Sequence, residues 1–141
     1  MQRVCGMNLP TGYERAHAFS FGDGPALADE LLGLVLAGDK TATCGALRDF
    51  GDAPGQEPMP VVGRRDVVLD GAGRPACAIE TTEVTVRRFD EVPVAFAEAE
   101  GEGGYEGWRS GHIDYFTRNG GWSADMEQAC ERFHVIEVFS R

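Results

Sequence analysis

The sequence predicts an α+β domain, a small curved antiparallel β-barrel or partly closed sheet with flanking helices at one end. Three observations predict it. Leu27, Leu31, Leu34 and Val35 recur at helical spacing between a Gly-Pro start and Gly38. Two runs rich in Val, Ile and Thr, residues 66–70 and 76–89, flank the turn-rich Gly71-Ala72-Gly73-Arg74-Pro75, as in an antiparallel hairpin. Within the second run Cys77 and Ile79 are apolar at odd positions and Val84 and Val86 at even ones. A strict two-residue alternation cannot put both pairs on one face. A bulge near Thr81-Thr82 repairs the phase, and strands bent in this way belong to small curved barrels.

The elements follow in order. Residues 1–13 have no periodicity and contain Pro10 and Gly12, so 1–20 is expected to be an N-terminal arm and 21–141 one domain. The run Ala18-Phe19-Ser20-Phe21 suggests a brief extended piece before the first helix. That helix is expected over 26–37, capped by Asp23 or Gly24, with Pro25 in its first turn and Gly38 as its stop. Residues 44–60 carry Asp49, Gly51, Asp52, Pro54, Gly55, Pro58 and Pro60. They predict a long loop, either a cover for the preceding turn or a surface excursion. After the hairpin, 90–100 and 105–118 predict two helices. Val92, Phe96 and Ala99 line the first, and Trp108, His112, Tyr115 and Phe116 the second. Phe133, Val135 and Val138 alternate in a closing strand over 132–139.

Composition narrows the function. The 141 residues are 43% hydrophobic and 26% charged, ordinary for a globular domain. No apolar run is long enough to span a bilayer, and residues 1–10 lack a signal peptide's apolar core. A cytoplasmic protein with no membrane partner is the expectation. Cys5, Cys44, Cys77 and Cys130, and His17, His112 and His134, are scattered without close ligand pairs. No metal site or cofactor is expected, and the thiols are expected to be reduced and mostly buried. Thirteen basic residues against 23 acidic ones leave a net charge of -10, which repels a polyanion. A nucleoside or other small molecule therefore fits better than a long RNA. A local basic patch from Arg64-Arg65, Arg74 and Arg87-Arg88 would still permit single-stranded RNA as a partner.

The stretch Gly38-Asp39-Lys40-Thr41-Ala42-Thr43-Cys44 carries the chemistry. It places a lysine and hydroxyls just past a helix end. Amide hydrolysis needs a nucleophile, a base and a proton donor. Thr43 offers the hydroxyl. Lys40 can take its proton if burial lowers the lysine pKa, and backbone N–H groups of the turn can hold an oxyanion. Other roles stay open. Lys40 can face the helix dipole, and Thr43 can satisfy the turn. Glu98, Glu100 and Glu102 can form a solvated acidic face or a divalent metal site. Trp108, Tyr115 and Phe116 can stack a base or pack a core, and His112 can be a core histidine.

The helix, the Gly-x-Lys-x-x-Thr turn, the loop and the hairpin are followed by Phe96-Ala97-Glu98-Ala99-Glu100-Gly101-Glu102-Gly103, then Trp108-Arg109 and His112. This order resembles the ASCH domain family, a branch of the PUA-like superfamily, from about residue 21 to residue 139. The resemblance implies a PUA-like barrel and a cleft for nucleosides or RNA. In small members it implies hydrolysis of 4-acetylcytidine; other members are ribonucleases or RNA-binding regulators. Motif matching carries the catalytic set of the small hydrolases onto Lys40, Thr43 and Glu100. Trp108, Arg109 and Tyr115 are the candidate substrate contacts. Two positions depart from the family pattern: Gly104 stands where an aspartate is common, and Cys44-Gly45 where many relatives carry an arginine. The expected function is a small hydrolase acting on a modified pyrimidine nucleoside. A metal-assisted ribonuclease and a non-catalytic RNA-binding module are the alternatives.

Overall fold

The computed structural model describes residues 2–3 and 8–140, with side chains from Asn8 onward. Its centre is a six-stranded sheet: β1 (Gln2–Arg3), β2 (His17–Ser20), β3 (Ala42–Ala46), β4 (Arg65–Leu69), β5 (Pro75–Arg88) and β6 (Glu127–Val138). The spatial order is β1-β2-β4-β5-β6-β3. β1 is only two residues long, so five strands form the body, a curled half-barrel flanked by helices. Every pair is antiparallel except β2 with β4. That parallel pair has a simple cause: α1 (Pro25–Ala37) and β3 intervene between its strands as a crossover.

The predicted hairpin is present as β4 and β5. The register of β5 against β6 shifts between Ala78 and Ile79 and again between Thr81 and Glu83, at the phase change legible in the sequence. α1 also follows expectation. Gly24 is its N-cap, with Pro25 at its start. At its end Gly38 takes φ 83, while Gly38 N–H donates to Val35 O and Asp39 N–H to Leu34 O. That is a Schellman closure, and a left-handed φ there favours glycine.

Four expectations are corrected or refined. The first is residues 90–100, which are not one helix. A 3-10 turn, Phe89–Glu91, is followed by α2, Val94–Ala99, because Pro93 holds Val92 extended at ψ 123. Secondly, residues 42–46 form a sheet-edge strand rather than turn and loop. Ala-Thr-Cys-Gly-Ala has little strand character of its own; pairing with β6 makes it a strand. Thirdly, β6 begins at Glu127, five residues before the predicted strand. Gln128 to Glu131 are all buried, so no inside-outside alternation marks them. Fourthly, the brief extended piece expected at 18–21 is a strand, His17–Ser20, which pairs with β4 and buries Phe19. Cys5 lies outside the described residues. Cys77 and Cys130 are buried and Cys44 partly so, all as free thiols.

Two apolar clusters hold the helices. α1 packs Leu31, Leu32 and Val35 against Phe19, Phe21, Ile79 and Phe133. α2 and α3 (Gly104–Arg118) supply Phe96, Trp108 and Phe116 to a second cluster with Phe89, Met126 and Cys130. Among the described residues no helix is long and apolar enough to cross a membrane.

Candidate functional site

A cleft of about 880 Å³ opens between α1 and α3. Leu27, Leu31 and Leu34 form one wall, Gly107, Gly111 and Tyr115 another, and Lys40, Cys44, Glu100 and His112 its floor. The 50–64 loop borders it through Phe50, Gly55 and Glu57. That loop is pinned, not free. Gln56 Oε1 accepts from Ala53 N–H at 3.0 Å, Gln56 Nε2 donates to Arg48 O at 3.0 Å, and Arg64 Nη1 to Met59 O at 3.0 Å.

The floor is built by two chain segments. The helix cap at Gly38 delivers Lys40, whose own N–H donates to Leu34 O. The end of α2 delivers Glu100. Thr41 N–H donates to Ala99 O at 2.7 Å and locks the segments together. A Cβ on Gly101, at φ 73, would collide with the Asp39 carbonyl, so this approach requires glycine.

Lys40 and Glu100 are only 2% and 1% exposed, and Lys40 Nζ lies 3.2 Å from Glu100 Oε1. Nζ also donates to Ala42 O at 2.9 Å, with Glu102 Oε2 3.6 Å away. Glu100 is the hub. Its Oε2 accepts from Trp108 Nε1 at 2.5 Å and from Cys44 Sγ at 3.0 Å, while His112 Nε2 lies 3.5 Å from Oε1. A carboxylate needs this many donors to stay charged away from water. His112 Nδ1 is 2.8 Å from Trp108 O. A carbonyl only accepts, so Nδ1 carries a hydrogen and the free ring position, Nε2, faces the carboxylates.

These contacts fix the charges. Burial alone would push the Lys40 pKa down, but Glu100 and Glu102 outweigh it and raise it. Burial likewise opposes the charged forms of Glu100 and His112. Lys40 and His112 nevertheless hold Glu100 well below the usual carboxylate range, and Glu100 raises His112. Burial and the neighbouring carboxylate push the Cys44 thiol up. The partners therefore favour the charged forms of Lys40, Glu100 and His112 and the neutral form of the Cys44 thiol. Before substrate binds, the acidic partners of Lys40 hold its pKa up against burial.

The expected catalytic residues gather in this cleft unequally. Lys40 and Glu100 are in contact. Thr43 lines the cleft; among the described residues its hydroxyl makes no hydrogen bond to either. Strand alternation sends its neighbour Cys44 toward Glu100 instead. Of the candidate substrate contacts, Tyr115 borders the cleft, with burial pushing its pKa up to about 12. Trp108 is 0% exposed and its ring is stacked on Phe89 and Tyr105, so it has no free face for a base. Arg109 lies over Trp122, outside the cleft lining. Cys44 and His112 join the site although sequence reasoning left them as a buried thiol and a core histidine. The one available signal was that His112 stands four residues, one helical turn, after Trp108.

Cys44 Sγ, a Glu100 oxygen and a His112 ring nitrogen lie within 4.8 Å of one another, a spacing able to hold a metal ion. The charge of the cleft is acidic overall: Glu30, Asp49, Glu57, Glu100, Glu102 and Asp114 line it against Lys40 and Arg118. Arg118 is itself paired with Asp23 at 2.6 Å. Of the hairpin-region arginines, Arg64 pairs with Asp66, Arg74 with Asp70 and Arg88 with Asp90, while Arg65 and Arg87 are exposed.

The sequence matches the model of the ASCH domain over residues 17–137. No curated protein matches it. It is similar to a crystal structure of a protein from Enterococcus faecalis, with 31% identity, 86% of this chain and 76% of that one covered, and a TM-score of 0.76. It is equally similar to an ASCH domain from Lactobacillus crispatus, with 31% identity, 85% and 79% covered, and a TM-score of 0.76. A helix-flanked curled half-barrel and a family match over most of its length converge: the chain belongs to the ASCH domain family and has its PUA-like fold.

Proposed function

We propose that the cleft hydrolyses the exocyclic amide of a modified pyrimidine nucleoside of the 4-acetylcytidine type. The observation that carries this reading is the buried Lys40–Glu100 pair on the floor of a cleft with Thr43 on its wall. The acidic lining favours an uncharged nucleoside over a phosphate-bearing strand. Its volume, about 880 Å³, lies in the range of small-molecule sites.

A substrate that seats in the cleft expels water, and a drier environment favours the neutral form of an ion pair. The Lys40 proton then moves to Glu100 Oε1 along their hydrogen bond. The free amine takes the Thr43 proton as Thr43 Oγ1 attacks the acyl carbon. The tetrahedral adduct collapses, the C–N bond breaks, and the exocyclic nitrogen takes back the proton. Water releases the acyl group from Thr43. Catalytic hydrogen bonds are often unformed before substrate binds, and a Thr43 hydroxyl bonded elsewhere would oppose this step.

The test is incubation of the chain with 4-acetylcytidine, followed by chromatography for cytidine and acetate. Lys40→Ala and Thr43→Ala are expected to lose at least about 100-fold in kcat/KM, the scale of a lost acid-base group. Lys40→Arg is expected to stay inactive, because a guanidinium does not give up its proton. A fully active Lys40→Arg protein would reduce Lys40 to a positive charge and overturn the mechanism.

A further inference from the structure

We infer that Cys44 Sγ, Glu100 Oε2 and His112 Nε2 form a site for one zinc-class divalent cation, with a fourth coordination position open to the cleft. Cys44 Sγ, one Glu100 carboxylate oxygen and one His112 ring nitrogen, from β3, the end of α2 and α3, lie within 4.8 Å of one another. Cys44 Sγ is 3.0 Å from Glu100 Oε2, and His112 Nε2 is 3.5 Å from the other oxygen. Tetrahedral zinc bonds set ligand atoms about 3.5 Å apart, so small side-chain adjustments suffice.

Two further observations point to a cation rather than to a chance cluster. Metal-binding histidines are commonly oriented by a hydrogen bond from the other ring nitrogen, and His112 Nδ1 is held by Trp108 O. Trp108 Nε1 bonds the Glu100 oxygen that would ligate, a second supporting contact of the same kind. The other observation is the neighbouring charge: Glu102 Oε2 lies 4.0 Å from His112 Nε2, so a second carboxylate borders the site. Glu100 Oε1 stays with Lys40. Thiolate and imidazole select zinc or cobalt over magnesium, and three protein ligands with one open position is the arrangement of a catalytic rather than a structural zinc.

The inference does not rest on the hydrolase reading, and its test uses no substrate. Reduced full-length protein is titrated with cobalt(II), then with zinc(II), and followed by absorption. The expected result is one equivalent of tetrahedral cobalt with a thiolate-to-metal charge-transfer band, bleached by zinc. Cys44→Ser should abolish the band. His112→Gln should weaken cobalt binding by at least about tenfold. Cys130→Ser should keep the band, although Cys130 is the cross-strand partner of Cys44. Circular dichroism checks that each variant is folded. Zinc should also raise the melting temperature of the parent chain and not of Cys44→Ser, which keeps the test decisive if a variant is weakened. No band in the parent chain, or a band that survives in Cys44→Ser, overturns the site.

Discussion

Glu100 accepts from Lys40, Trp108 and Cys44 and faces His112, so its removal strands several polar groups at once. Glu100→Gln leaves a buried ammonium with Glu102 as its remaining acidic neighbour. Breaking a buried pair in this way costs about 3–5 kcal/mol. The double variant Lys40→Met/Glu100→Gln should be less destabilised than the sum of its singles by about 1–3 kcal/mol, as read from urea denaturation. Additive costs would mean that the two side chains are not coupled. The pH dependence has two limbs. The folded pKa of Glu100 is lowered, so its contribution is whole above the ordinary 4.5 and fades as pH falls toward the folded value. That of His112 is raised, so its contribution is whole below the ordinary 6.5 and fades as pH rises through the folded value. In chelator, a plot of stability against pH should lose both limbs in Glu100→Gln, since Glu100 is what raises His112, and only its alkaline limb in His112→Gln. Unchanged limbs would place the titrating groups elsewhere.

Among the elements, α1 owes its abrupt end to Gly38, and that end aims Lys40. Gly38→Ala puts a Cβ at a left-handed φ and should cost about 1–2 kcal/mol in urea denaturation; no loss would mean the cap is unstrained. This much was legible locally, because a glycine after four apolar residues at helical spacing has one meaning. Pro93 marks the α2 start locally as well, since the residue before a proline is held extended. The strand character of β3 was not legible, since five small residues gain it only by pairing with β6. With β3 unseen, nothing in the sequence singles out Cys44, which strand alternation turns toward Glu100. The roles of Trp108 and His112 were hidden for a similar reason. A helical stripe of aromatic residues marks a buried face, but not which acid lies beneath it.

The whole molecule carries a net charge of -10, and its cleft repeats that sign. Arg64, Arg74, Arg88 and Arg118 already hold carboxylates. Filter binding of a uridine homopolymer is therefore expected to be weak at physiological salt and to vanish as salt rises. Tight binding with a steep salt slope would move the chain to the RNA-binding alternative. At this scale the sequence was informative, because the hairpin phase shift, the apolar helix and the acidic balance each reflect global properties. The parallel placing of β2 beside β4 was not legible, since nothing within either strand records which neighbour it will find.

The weld at Gly101 has a consequence for the order of events during folding. Lys40 and Glu100 are 60 residues apart, and the hydrogen bond from Thr41 N–H to Ala99 O closes almost the same span. A contact of such sequence separation must wait for the intervening hairpin, since closing a long loop costs entropy before it returns any contact energy. The cleft floor should thus be among the last parts of the chain to form after synthesis, and a ribosome-bound chain stopped before α2 would hold Lys40 with no acid to meet it. Pulsed hydrogen exchange during refolding gives the reading. Thr41 N–H should gain protection after the β4–β5 amides, and Gly101→Ala should delay it further without slowing the hairpin.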